Sequence, residues 1–149
     1  MTVLSRRHAV AGLALVPLLP RAAAAAAAAV NPLLAESLEK LGVKSGALDW
    51  NGPIRLSAPL IADDGSAVPV TASVESGQAV RQIHLFAPAN RRALVASVTP
   101  LGQAARAEFQ IRIRLAKSQS VIAVARLEDG RAIAAAAEVR VTAGGGCKP

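Results

Sequence analysis

Glu108-Phe109-Gln110-Ile111-Arg112-Ile113-Arg114-Leu115 is the stretch on which the fold turns. Phe109, Ile111, Ile113 and Leu115 fall on one side of an extended chain, and Glu108, Gln110, Arg112 and Arg114 on the other. So strict an alternation describes a strand with one buried and one wet face. The same period of two recurs in both directions. Ile54 to Ser57, Val68 to Glu75, Val80 to Phe86 and Leu94 to Thr99 precede this strand; Val121 to Leu127 and Ala132 to Thr142 follow it. Ala134 to Ala137 favour helix by propensity. They lead without a break into Glu138-Val139-Arg140-Val141-Thr142, which alternates, so the whole run is read as strand.

Turn signals separate these runs: Asp63-Asp64-Gly65, Ser76-Gly77, Pro88-Ala89-Asn90, Pro100-Leu101-Gly102 and Asp129-Gly130. Asp129-Gly130 suits a tight hairpin. Seven short strands in about 90 residues predict an all-β fold, an immunoglobulin-like antiparallel β-sandwich. Each strand is expected to wet one face, which puts His84 on the solvent side opposite Leu85. A short helix is expected first. Asn31 is its N-cap, Pro32 its first residue, Leu33, Leu34, Leu38 and Leu41 its apolar positions, and Gly42 its stop.

The first 29 residues have another character. Arg6 and Arg7 stand in a basic start, an apolar run extends from Ala9 to Leu19, and Ala22 to Ala29 form a small-residue cleavage region. This is the layout of an export signal, and the paired arginines point to the twin-arginine route into the bacterial periplasm. The apolar run is shorter than the roughly 20 residues that span a bilayer, so no membrane anchor is expected. The expected organisation is a signal over 1–29, a sandwich domain over 30–143 and a flexible tail over 144–149.

The chain of 149 residues has 17 Lys and Arg against 10 Asp and Glu, a net charge of +7. Without Arg6, Arg7 and Arg21 the balance is 14 against 10, or +4. So mild a charge, with only Trp50, Phe86 and Phe109 as aromatics, argues against nucleic acid as a partner.

Cys147 is the one cysteine. It follows Gly144, Gly145 and Gly146, which have no side chains to pack and move freely. The pattern reads as a thiol on a tether. The plainer readings are an incidental terminal residue or an intermolecular disulfide. An exposed thiol in an oxidising compartment favours use over accident. No GxSxG, Walker loop, GxGxxG or CxxC occurs. His8 lies in the signal, so His84 is the one histidine left for chemistry, and a Cys–His pair lacks a third orienting group. Neither a metal nor another cofactor is expected, because one His, one Cys and scattered carboxylates do not have ligand spacing. Arg91-Arg92 in a loop fits either a solvated surface or an anion contact.

These features together resemble the SoxY family, the sulfur-carrier subunits of the bacterial thiosulfate-oxidising (Sox) system. The resemblance runs from about Asn31 to Cys147. It rests on the signal with Arg6 and Arg7, the leading helix, and Ala62-Asp63-Asp64-Gly65-Ser66-Ala67-Val68-Pro69-Val70. It continues through Phe109 to Ala116, Val121 to Ala125, Asp129-Gly130, and Val139-Arg140-Val141-Thr142 running into the glycine–cysteine tail. It implies a sandwich paired with a SoxZ-like sandwich subunit. It implies sulfur held covalently on Cys147, with Gly144, Gly145 and Gly146 as the arm. It implies transient visits to a haem-containing enzyme that joins thiosulfate to the cysteine and to a hydrolase that releases sulfate, the carrier itself catalysing nothing. The family's usual Gly-Gly-Cys-Gly-Gly is altered here, since Lys148 and Pro149 follow the cysteine. A divergent paralogue without carrier activity, and an exported immunoglobulin-like binding module, are the alternative readings. A redox enzyme using Cys147 would need an activating group that the sequence lacks.

Overall fold

The computed structural model describes residues 31–101 and 107–143. The expected signal with Arg6 and Arg7, and the expected tail with Gly144, Gly145, Gly146 and Cys147, lie outside the described residues.

Helix α1 (Pro32–Lys40) begins where the sequence placed it. The Asn31 side chain accepts from the amides of Leu33 (3.0 Å) and Leu34 (3.3 Å), satisfying two of the donors a helix start leaves open. Gly42, at φ +72°, ends it. Nine strands follow among the described residues: β1 (Leu48–Asp49), β2 (Ile54–Ser57), β3 (Ile61–Asp64), β4 (Val68–Val74), β5 (Val80–Phe86), β6 (Leu94–Val98), β7 (Ala107–Ile113), β8 (Gln119–Leu127) and β9 (Ala132–Ala143). All seven expected strands are present, and the alanine run is strand. β1 and β3 are additions. Asp63 and Asp64, expected in a turn, close β3, and the turn falls at Gly65-Ser66.

One sheet has the order β1-β9-β8-β5-β6, with β3 also on β9; the other has the order β2-β4-β7. The long pairings are antiparallel. β1 and β3 instead run parallel to opposite ends of β9, Leu48 against Ala132 and Ile61 against Arg140. Alternation within a strand encodes which face is buried, not the direction of its neighbour, so these two pairings left no local trace.

The core between the sheets is built from Val70, Ala72, Val74, Ile83, Leu85, Ile113, Leu115, Val121 and Ile133, among others. β7 behaves as its alternation predicts, with Glu108, Gln110, Arg112 and Arg114 exposed. β5 and β8 do not. From Ile83 to Phe86 and from Val121 to Ala125 every residue is buried. The reason is α1, whose Leu34 and Leu38 lie on the outer face of the large sheet against Phe86, Ile122, Val124 and Ala134. Each of those leucines contributes about 1.5–3 kcal/mol by leaving water. The molecule therefore has three layers: helix, large sheet, small sheet.

Gly52 shows how tightly the chain leaving β1 crosses β9. A methyl built on it would stand 2.6 Å from Ile133 Cβ and closer still to Cγ2. Ile133 is fully buried and cannot retreat. Gly52→Ala is expected to destabilise by about 1–3 kcal/mol in denaturant unfolding. Part of that loss should be recovered in an Ile133→Ala background, where Cγ2 is gone. Equal cost in both backgrounds would exclude this contact as the cause.

Candidate functional site

β9 leads toward Gly144, Gly145 and Gly146, the expected arm, so what holds its last residues sets where that segment begins. On one side β3 pairs with it, Ala62 opposite Val141 and Asp64 opposite Ala143. The Thr142 hydroxyl donates to the Asp63 carbonyl at 3.3 Å. On the other side the Ser118 hydroxyl accepts from the Val141 amide (2.9 Å) and donates to its carbonyl (3.4 Å). The root of the arm is thus fastened from both flanks up to the last described residue.

Two loops meet beside that root. Asn90 donates from Nδ2 to the Arg114 carbonyl (2.7 Å) and accepts at Oδ1 from the Ala116 amide (2.9 Å) and from Gln119 Nε2 (3.0 Å). Gln119 Oε1 accepts from the Ala89 amide at 2.8 Å. Two side-chain amides therefore lock the 87–93 loop onto the 114–119 loop. The Leu115 amide donates to the Gly65 carbonyl at 2.7 Å, which adds the β3–β4 turn to the same end. In that turn Asp64 accepts from the Ser66 amide (2.7 Å) and hydroxyl (2.6 Å). The Ser66 hydroxyl first and its amide second hold the Asp64 carboxyl below its usual range, and the Arg114 charge adds to this. Sequence reasoning marked Pro88-Ala89-Asn90 as a turn but missed the Asn90–Gln119 brace. Its partners lie 24 to 30 residues apart, and no local pattern signals them.

His84 is not on the solvent face. It is fully buried beside Phe86, the ring centres 6.3 Å apart. Its Nδ1 lies 2.8 Å from Ser97 Oγ, and its Nε2 has no hydrogen-bond partner among the described residues. The expectation failed because the outer face of β5 is covered. Burial first, and the Arg126 charge second, push the imidazole below its usual value. The unfolded chain therefore binds a proton that the folded one resists. His84 supports stability fully above about pH 6.5, and that support is lost as pH falls below this value. The melting temperature should drop between about pH 7 and pH 5, and the drop should shrink in His84→Gln. An unchanged pH profile in that variant would remove His84 as its source.

Among the described residues no group of three His, Cys, Asp or Glu side chains could hold a metal ion. None of their helices is long and apolar enough to cross a membrane.

Curated proteins return no match. Among solved structures, the sulfur carrier protein SoxY from Chlorobium limicola f thiosulfatophilum is 35% identical, with a TM-score of 0.53, over 61% of this chain and 80% of that one. A superoxide reductase (neelaredoxin) from Ignicoccus hospitalis is 19% identical, with a TM-score of 0.47, over 74% and 92%. The family model for the sulfur oxidation protein SoxY matches residues 41–147, which takes in most of the sandwich and the tail as far as Cys147. The family reading made from the strand order, the turn residues and the glycine–cysteine ending is therefore sound, and the chain belongs to the SoxY family.

Proposed function

We propose that this protein is a covalent carrier of sulfur intermediates in periplasmic thiosulfate oxidation, with Cys147 as the attachment point and Gly144, Gly145 and Gly146 as its arm. The observation that carries the reading is the family match ending on the single cysteine, beyond a strand held firmly on both sides. Arg6 and Arg7 are proposed as the twin-arginine export signal.

In the proposed cycle the Cys147 thiolate and the outer sulfur of thiosulfate lose two electrons to a haem-containing enzyme. A sulfur–sulfur bond forms, leaving an S-thiosulfonate on the arm. A hydrolase then adds water, breaks the bond to the sulfonate, and releases sulfate and two protons. A persulfide remains on Cys147. The carrier supplies the thiol, the reach and the exposure; its partners supply the chemistry. Four residues beyond Ala143 reach about 13–14 Å, enough to enter a narrow active site while the sandwich stays outside.

A SoxZ-like sandwich is the proposed permanent partner. Sheet edges at β2, β7 and β6 offer backbone groups to a second sandwich. Leu60 and Ile61, 63% and 59% exposed, are apolar surface that a partner would cover. Lys148 and Pro149, where the family keeps glycines, favour one second reading: a paralogue whose arm no longer fits the usual enzymes.

The deciding experiment is the intact mass of the exported protein after thiosulfate exposure with its oxidising partners, before and after a reductant. Added sulfur that reduction removes establishes the carrier. A bare thiol, or only a disulfide dimer, overturns it in favour of the paralogue or a binding module.

A further inference from the structure

The end of the sandwich from which the arm leaves is cationic. Arg91 and Arg92 follow Asn90 on the braced 87–93 loop, and Arg114 and Lys117 stand on the 114–119 loop; all four are exposed. Lys117 adjoins Ser118, which holds Val141. Arg114 acts on Asp64, whose register partner is Ala143. Arg91, Arg92 and Lys117 have no carboxylate partner among the described residues. Among the described residues β3 brings Asp63 and Asp64 to this end, both oxygens of Asp64 being engaged by Ser66, and Glu138 of β9, opposite Ser120, lies 3.9 Å from Arg140. A general solubilising charge would not need two distant loops pinned together by side-chain amides at the arm's root.

We propose that Arg91, Arg92, Arg114 and Lys117 form a cationic collar around the root of the arm that concentrates small sulfur oxyanions of the thiosulfate class near Cys147. The collar rests on the carrier reading for its substrate class but not for its physics. Focused positive potential raises the local concentration of an anion and its rate of encounter, and added salt screens it. The four residues from Ala143 to Cys147 extend at most about 13–14 Å, one to two Debye lengths at ordinary ionic strength.

The test uses the full-length chain and the reactivity of its single cysteine. The Cys147 thiolate attacks a disulfide reagent, one sulfur–sulfur bond breaks, a mixed disulfide forms and an aryl thiolate leaves. The measured quantity is the ratio of rate constants for a dianionic reagent, dithiobis(nitrobenzoate), and a neutral one, dithiodipyridine. In Arg91→Ala/Arg92→Ala/Lys117→Ala this ratio should fall by about 3–10-fold at low salt, and in Lys117→Gln alone by less. The remote triple Lys44→Ala/Arg81→Ala/Arg131→Ala removes equal charge near the far end of β8, about 27 Å away, and should change it little. In the unaltered chain the ratio should decline between about 10 mM and about 500 mM salt. An equal fall in both triples would assign the effect to net charge and overturn the collar, as would no fall in either or no salt dependence. Lys148 is constant throughout. Failure here leaves the loading experiment standing, and a bare thiol in that experiment leaves the reagent ratio standing, so the two readings fail separately.

Discussion

Cys147→Ser is expected to abolish sulfur loading outright while leaving the fold unchanged. A serine hydroxyl ionises far above neutral pH, whereas a free thiol does so near 8.5, and oxygen forms no stable bond to sulfane sulfur that a reductant would reverse. Cys147 is the one cysteine, so no other thiol can substitute. On the carrier reading Cys147 belongs to the arm and not to the packed sandwich, and changes away from packed features cost within about 0.5 kcal/mol. The mass of the exported variant after thiosulfate exposure should equal that of the bare chain, and its melting temperature should match the unaltered protein. Loading that survives the substitution would place the attachment elsewhere and end the carrier assignment. Loss of loading with loss of the fold would show that the tail is part of the domain.

Phe86→Ala is expected to be the most damaging single change in the sandwich, costing about 3–5 kcal/mol. Phe86 is fully buried at the end of β5, with Ile122 opposite it on β8 and Leu94 on β6, and it lies beneath Leu34 and Leu38 of α1. Removing the ring opens a cavity between helix and sheet that backbone pairing on both sides prevents from collapsing. Domains of this size have about 5–15 kcal/mol in total, so the midpoint should fall by roughly 10 °C or more. Phe86→Leu should cost markedly less, because most of the volume remains. Chemical denaturation of the two variants measures this. A cost for Phe86→Ala below about 1 kcal/mol would mean that α1 contributes no packed layer to the stable domain.

The contrast between β7 and β5 shows what sequence can and cannot report. In β7, Phe109, Ile111 and Ile113 alternate with charged and polar residues, and the structure follows the pattern because no described residue buries the outer face. In β5, Gln82 and His84 look like members of a wet face beside Ile83 and Leu85. His84 is nevertheless buried, because the covering layer comes from elsewhere in the chain. The candidate site divides in the same way. Cys147 and its glycines, the proposed attachment point and arm, were singled out from residue type alone and lie outside the described residues. The Arg91-Arg92 pair was visible but ambiguous, since its meaning depends on Lys117 and Arg114 standing beside it at the arm's root.

The sequence alone was sufficient for the local facts. It determined seven of the nine described strands, through their period of two; the helix, through Asn31, Pro32 and Gly42; and the family, through the order of turns and the glycine–cysteine ending. Tertiary structure alone decided which strands run parallel on β9, that α1 packs on the outer face of the large sheet, that His84 is buried beside Phe86 and Ser97, and that Asn90 and Gln119 draw two loops together beside the end of β9. The division has a physical cause. Backbone preference and burial pattern act over a few residues, whereas these last features depend on contacts between segments tens of residues apart, whose partners no local pattern names.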